Sequence, residues 1–269
     1  MSLADAQTAS AASLRRARAL KRKAERQAQG RFLTEGPQAV REALRAALAL
    51  ELFVDQRNES PSHGELTQDA RAQGLPVQLV SDDFAGLTDT VTSQGIVAIT
   101  AMVEQPTLAV FAASSPTLVA VAVAPADPGN VGTLIRIADA AGADGVILTS
   151  GSCDPYNSKA VRASTGSIFH LPVLTGFTFE QVRAALPVEL CRFIATSGAA
   201  EVELFSDQLH DVIAAPAAWV FGNEAHGLDA EVVAACDLAV RIPIYGHAES
   251  LNVGAAAAVC LYASAIAAR

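Results

Sequence analysis

The stretch IPIYGHAESLNVGAAAAVCLY, residues 242–262, decides how the rest of the chain is read. It starts as an apolar, strand-like run and passes through the polar loop Gly246-His247-Ala248-Glu249-Ser250. Leu251-Asn252-Val253-Gly254 then leads into a long alanine-rich helix. Ser250 reads as the N-cap of that helix, because a serine oxygen accepts from the free N–H groups of a first turn. Strand, polar loop and helix in succession form the unit of a parallel α/β sheet, where ligands bind beyond the carboxyl ends of the strands. Alone, Ser250 and Asn252 cap and trim a buried helix; beside the loops upstream they become candidates for a site.

Upstream of this stretch, strand-like runs at 117–123, 145–148, 168–173, 191–196, 217–221 and 238–244 alternate with helical patterns at 131–141, 158–165, 179–186 and 229–235. The run at 117–123 is apolar on both faces, the mark of a strand buried in a parallel sheet. In the first hundred residues, helices at 36–50, 66–73 and 81–87 alternate with strands at 50–54, 76–80 and 95–100, which predicts a smaller α/β domain. The expected division is a mobile or helical basic arm (1–30), a small α/β domain (31–104), a low-charge Pro- and Ser-bearing linker (105–116) and a parallel-sheet domain (117–269).

The chain of 269 residues has a net charge of −9, unevenly spread. Residues 1–45 carry ten Lys/Arg against four Asp/Glu, a balance of +6 that leaves −15 for the remainder. Arg15, Arg16, Arg18, Lys21, Arg22, Lys23, Arg26 and Arg31 crowd one short segment. The acidic whole argues against a generic nucleic-acid binder, while a basic block on an acidic protein suggests phosphate contact. The four cysteines form no CxxC pair and read as buried thiols of a reducing cytosol; neither they nor the five histidines have metal-ligand spacing. No signal peptide is evident, and no apolar run approaches the ~18 residues of a membrane span.

Three further stretches carry chemistry. In Asp127-Pro128-Gly129-Asn130-Val131-Gly132, Pro-Gly makes a turn, Asn130 is placed to cap the following helix, and Arg136 lies near its second turn. The spacing Gly129-x-x-Gly132 excludes a dinucleotide fingerprint, and the absence of GKS or GKT excludes a P-loop. In Phe221-Gly222-Asn223-Glu224-Ala225-His226-Gly227-Leu228 a buried strand runs into a Gly-framed polar turn that lets a ligand approach the backbone. Lys159 and Arg162, at i and i+3 of a helix, are placed to hold a phosphate or simply to form a solvated face.

The blocks DPGNVGTLIRIADAAGADGVIL, VFGNEAHGL and IPIYGHAESLNVGAAAAVCLY, in this order, resemble the three motifs of the SpoU (TrmH-like) RNA 2′-O-ribose methyltransferases of the SPOUT superfamily. PYNSKAVRASTGSIFHLPV between them is similar as well, and the N-terminal domain resembles the ribosomal-protein-like substrate-binding domain of the longer members. The resemblance implies a deep trefoil knot at the C-terminus, S-adenosyl-L-methionine held bent in it, and a homodimer. By position it assigns Asn130, Arg136, Glu224, Ser250 and Asn252 to catalysis. Thr196, Gly222, Ile242, Leu251 and Val253 become cofactor contacts. Two positions depart from the usual pattern: Ala225 replaces a frequent glycine and His247 a frequent arginine.

The expected activity is therefore methyl transfer to a ribose 2′-OH of structured RNA in the cytoplasm, ribosomal RNA ahead of tRNA, without metal or membrane. Arg15, Arg16, Arg22, Lys23, Arg31, Lys159 and Arg162 are the expected RNA contacts. The rival reading is a non-catalytic RNA-binding or ribosome-assembly protein of the same fold. Arginine is in effect always protonated, so Arg136 is better suited to stabilising an alkoxide and gripping a phosphate than to removing a proton. The small residues after Gly254 are expected to let the last helix pack closely in the knot and on a partner subunit.

Overall fold

Strand and helix order are set here in a computed structural model that describes residues 7–58, 60–90, 92–223 and 226–269. The chain divides into two compact units and passes between them three times. The first unit comprises the chain up to Glu104 together with Asp154–Phe169; the second comprises Gln105–Cys153 and His170–Arg269.

The first unit runs β1 (Gln7–Thr8), α1 (Ala11–Ala19), α2 (Lys23–Gln29), β2 (Arg31–Glu35), α3 (Pro37–Arg45), β3 (Ala49–Asp55), α4 (Pro61–Ala72), β4 (Val77–Val80) and β5 (Ile96–Ala101). Its sheet has the order β1-β4-β3-β5-β2, parallel on the β1 side and antiparallel around β5. Of the two options for the basic arm, the helical one holds for its described residues. The Ser10 hydroxyl accepts from the Ser13 N–H and starts α1. Ala17 and Leu20 are buried in a core with Leu33, Phe53, Val80, Phe84 and Val97. Thus residues 7–29 belong to the first unit. The helix expected at 81–87 is a 3-10 turn, Phe84–Leu87, because Asp83 enters it in the left-handed region (φ +65°) and Ser81 caps nothing. β2 was not anticipated.

The second unit opens with α5 (Leu108–Ala113), β6 (Leu118–Ala122), α6 (Pro128–Ala141) and β7 (Gly145–Thr149). The chain returns to the first unit for α7 (Ser158–Ser164). It then completes the second with β8 (Val173–Phe177), α8 (Phe179–Ala185), β9 (Arg192–Thr196), β10 (Val202–Glu203), α9 (His210–Ala214), β11 (Ala217–Phe221), α10 (Ala230–Ala235), β12 (Leu238–Arg241) and α11 (Val253–Ala267). The sheet order is β10-β12-β9-β11-β6-β7-β8, and every pairing is parallel, as the doubly apolar strands led us to expect.

Two expectations in this region need correction. Residues 105–116 are not a bare linker: Thr107 caps α5 through its hydroxyl, and Leu108 and Phe111 enter the core beside Val119, Val182 and Phe193. The strand expected at 168–173 lies further on, at Val173–Phe177. Ile168 is buried and Phe169 packs on the core of the first unit. Pro172 has no N–H to give a ladder and contributes only its carbonyl, which accepts from the Val146 N–H at 2.9 Å.

The stretch Asp154–Phe169 is fastened to the first unit by charge, hydrogen bonds and ring contacts. Arg26, itself buried, donates to Asp154 Oδ2 from Nε at 3.0 Å and to the carbonyls of Leu20 and Lys21 at 3.0 and 2.8 Å. Tyr156 and Phe169 pack on the Phe32 ring, with centroids 4.8 and 6.0 Å away. The Ser158 hydroxyl donates to Asp89, which also pairs with Lys21 at 2.9 Å.

α11 is apolar around nearly its whole circumference and lies along α6. Asn252 meets Asn130 at one end, and the Tyr262 hydroxyl donates to the Ala140 carbonyl (3.2 Å) at the other, so the two helices run parallel. A β-carbon on Gly254 would stand 2.7 Å from Thr133 Cγ2, so glycine is what permits this approach. In the interior, the Trp219 indole N–H donates to the Ser264 hydroxyl at 2.9 Å with both residues buried. Ser264→Ala strands that N–H, at a cost of about 1–3 kcal/mol. Thermal unfolding of this variant is expected a few degrees lower, and an unchanged midpoint would mean the pair contributes nothing net.

Candidate active site

The site forms where the carboxyl ends of β9, β11 and β12 meet the start of α11. A cavity of about 340 Å³ opens there, within the usual range for small-molecule sites. Its walls include Thr196, Ser197, Phe221, Gly222, Asn223, Ile242, Ile244, Glu249, Ser250, Leu251 and Val253. All five expected cofactor contacts, Thr196, Gly222, Ile242, Leu251 and Val253, thus line one cavity, with Ser250 among them.

Local chemistry fixes these walls. Thr196 ends β9 and its hydroxyl donates to the Val220 carbonyl at 2.9 Å, tying two strand ends together. After β11, Asn223 and Gly227 exchange backbone hydrogen bonds in both directions (3.0 and 2.8 Å). Gly227 lies so near the backbone of Gly222 that a β-carbon there would stand 2.2 Å from the Gly227 carbonyl carbon. The Asn223 amide donates to the Ala124 carbonyl (3.0 Å), while the Ala124 N–H donates to the Thr149 hydroxyl (2.9 Å). Ala124 holds a left-handed backbone, φ +45°, an unfavourable conformation for alanine of roughly 1 kcal/mol or more. The ends of β6, β7 and β11 are therefore pinned to one another at this strained residue.

The caps differ from the expected ones in a way that bears on the site. α6 is capped by Asp127, whose Oδ1 accepts from the Asn130 N–H at 3.0 Å; Asn130 is not the cap. α11 is capped by Asn252, whose Oδ1 accepts from the Gly254 N–H at 2.8 Å; Ser250 is not the cap and is exposed at the cavity. The other end of the Asn252 amide donates to Asn130 Oδ1 at 3.1 Å. Asp127, Asn130, Asn252 and Gly254 thus form one hydrogen-bonded chain across the starts of the two helices.

Arg136 is not part of the cavity wall. It lies six residues beyond Asn130 on α6, about 9 Å along the helix axis, and is exposed. Glu224 lies outside the described residues. His226 and His247 are both exposed. Burial pushes the Cys191 thiol up to about 12, with Asp144 adding to the effect, and the Cys236 thiol up to about 12, with Asp237 adding; burial also raises the Cys260 thiol. These three are poor nucleophiles and structural in character.

The expected RNA contacts separate by their partners. Arg16 pairs with the buried Glu51 at 2.7 Å, and Arg162 with the buried Glu35 at 3.3 Å. Arg22 makes an exposed i,i+3 pair with Glu25. Lys159 is exposed, but its helical neighbour Arg162 is answered from within, so the two do not present a pair of free cations. Arg15, Lys23 and Arg31 are exposed and have no ion-pair partner among the described residues.

With this geometry in hand, comparison with known proteins is decisive for the class. The model of the SpoU rRNA methylase family matches residues 117–262, and that of the MRM3-like substrate binding domain matches residues 12–98. The chain belongs to the SpoU rRNA methylase family. Its class is that of S-adenosylmethionine-dependent RNA 2′-O-ribose methyltransferases, as the three motifs led us to expect. Among curated proteins it resembles the 23S rRNA (guanosine(2553)-2′-O)-methyltransferase RlmP of Bacillus subtilis, 36% identical over 89% of this chain and 90% of that one. Among solved structures it resembles an RNA 2′-O ribose methyltransferase (TM-score 0.79, 29% identical, 96% and 97% of the chains). It also resembles the AdoMet-bound rRNA methyltransferase of Sinorhizobium meliloti (TM-score 0.79, 27% identical, 96% of each chain).

Proposed function

We propose that the protein methylates a ribose 2′-hydroxyl of ribosomal RNA in the cytoplasm, as a homodimer, with S-adenosylmethionine in the cavity between β9, β11, β12 and α11 and the C-terminal segment knotted as the family implies. The observation that carries this reading is the convergence of Thr196, Gly222, Ile242, Leu251 and Val253 on one cavity, with the Asn130–Asn252 pair close by at the start of α11. The fit is chemical as well as spatial. Aliphatic walls suit an adenosine, Thr196 and Ser197 offer hydroxyls, and the bare backbone at Gly222 leaves room for close approach. Bound there, the cofactor supplies an electrophilic sulfonium methyl. The 36% identity to a protein named for 23S rRNA favours ribosomal RNA over tRNA.

The residues then divide the work. Asn252 holds Asn130 and the first turn of α11 in one register, so the two amides present fixed polar groups at the reacting edge, and Ser250 adds a hydroxyl from the cavity wall. Arg136 grips the phosphate beside the target ribose and stabilises the alkoxide character that develops as the 2′-oxygen takes the methyl, the S–CH3 bond breaking to leave a neutral thioether and the hydroxyl proton passing to solvent water. Incubation with labelled S-adenosylmethionine is expected to label ribosomal RNA taken from cells lacking this gene. Label in tRNA alone would move the substrate, and cofactor binding without label in either would leave a non-catalytic binder.

Arg15, Lys23 and Arg31 are the cations of the first unit best placed to meet phosphate, because their charges are not already answered within it. Replacing all three with glutamine is expected to lower the slope of log K against log salt by about 2 and to leave cofactor affinity alone. An unchanged slope would remove them from the RNA surface. This triple variant is a better test than deletion of residues 1–30, which would strip Ala17, Leu20 and Arg26 from the core.

The dimer reading rests on α11 and its neighbourhood. Ile266 is 69% exposed, Phe205 62% and Tyr262 44%, although α11 is among the most apolar helices of the chain. Ile266→Asp is expected to give a monomer in sedimentation; a retained dimer would place the interface elsewhere. A bulky residue at Ala256 is not a test of the dimer, because Ala256 lines the cavity.

A further inference from the structure

The loop between β12 and α11 has two sides with different chemistry. Ile242, Ile244, Glu249, Ser250 and Leu251 line the cavity, whereas Tyr245, next in sequence to Ile244, does not and is 90% exposed. The chain has only three tyrosines, and this is the most exposed of its described large apolar side chains. Tyr262 sends its hydroxyl to the Ala140 carbonyl and Tyr156 packs on Phe32, but Tyr245 has neither hydrogen bond nor ring contact among the described residues. An aromatic ring held in water has no role in stability: its burial would be worth more than its exposure.

We infer that Tyr245 is a stacking platform for an unpaired nucleobase of the RNA substrate, either the target nucleotide or its immediate neighbour. This rests on the methyltransferase reading above. Proteins that act at one defined site in RNA mostly take unpaired loop nucleotides whose bases can be splayed out, and a base so displaced, or the one beside it, loses a stacking partner. An exposed ring on the loop that walls the cavity supplies a new one. Such stacking is tolerant of base identity, because every base has a π-face. Tyr245 is thus a positioning residue: it acts on the base, while the groups at the cavity edge act on the ribose.

Three variants test this. Tyr245→Ala is expected to raise KM for ribosomal RNA about tenfold while cofactor affinity and sedimentation mass stay as in the wild type. Tyr245→Phe, which keeps the ring and removes the hydroxyl, is expected to restore the wild-type KM. Tyr245→Trp supplies a signal: the single native tryptophan, Trp219, is fully buried, so quenching by added oligo(A) reports the new indole. Strong quenching in Tyr245→Trp and none in the wild type is expected. The inference is overturned by an unchanged KM in Tyr245→Ala, by Phe failing to rescue, or by no quenching. It is also overturned if alanine lowers the sedimentation mass, which would make the ring a protein contact, or weakens the cofactor, which would make it part of the cavity. If the wild type itself labels no RNA, the underlying reading falls first; if it labels RNA and Tyr245→Ala matches it, only this inference falls.

Discussion

Gly222→Ala is expected to weaken S-adenosylmethionine binding by at least about a hundredfold in calorimetry while the far-ultraviolet circular dichroism stays native. The backbone at Gly222 is not in the left-handed region, so the objection to a side chain is purely one of space. The added carbon would lie 2.2 Å from the Gly227 carbonyl carbon, 2.4 Å from its oxygen and 2.5 Å from the Leu228 nitrogen. All three are backbone atoms, so no flexible side chain can turn aside to make room. The Asn223–Gly227 hydrogen bonds would have to open, and Phe221, Asn223 and Gly227 would leave the cavity wall together. The sheet itself needs no such movement, since β11 is held on both sides by β6 and β9. Normal cofactor affinity in this variant would show that the 222–228 loop does not shape the cofactor site.

The second large effect is expected at Arg136. Arg136→Ala is expected to lower kcat by about 10²–10³, the usual cost of removing a preorganised charge from a developing oxyanion. Cofactor affinity is expected to hold, because Arg136 is not in the cavity wall. Arg136→Lys keeps the charge but not the fork, and is expected to fall between the two. Turnover near wild type in a folded Arg136→Ala protein would remove the residue from the chemistry, whatever its motif suggests. A loss of cofactor binding instead would mean that it supports the cavity from outside.

The parts of the fold legible in the sequence were those where periodicity and burial agree. Strands such as 118–122 and 217–221 are apolar on both faces because both faces are covered, and nothing competes with that signal. The run Ile168 to Val173 misled because it is apolar for two different reasons. Its beginning belongs to one core and its end to another, and a one-dimensional pattern carries no mark of the change. α5 was hidden by brevity: six residues with two buried anchors look like a linker when charge is scarce. The caps show the limit most clearly. Both Ser250 and Asn252 have capping chemistry, and the choice between them is made in space, where the Asn252 amide satisfies Gly254 with one end and Asn130 with the other. The basic block was visible as composition, but which charges are spent on Glu51, Asp83, Asp89 and Asp154 depended on strands and loops far along the chain.

The placement of Asp154–Phe169 has a consequence for exchange of modules between relatives. By sequence this stretch lies inside the matched methylase region, yet it folds with the unit that carries the substrate-binding match. A chimaera joined at a single point near residue 105 would therefore pair a foreign first unit with a native insert. It would leave Asp154 without Arg26, Tyr156 without Phe32, and Gly166 against whatever replaces Glu42. Transplanting target preference from one family member to another requires two cuts inside the methylase region as well as the obvious one before it. A substrate-binding unit of this design is inherited as two separated pieces of gene that must change together.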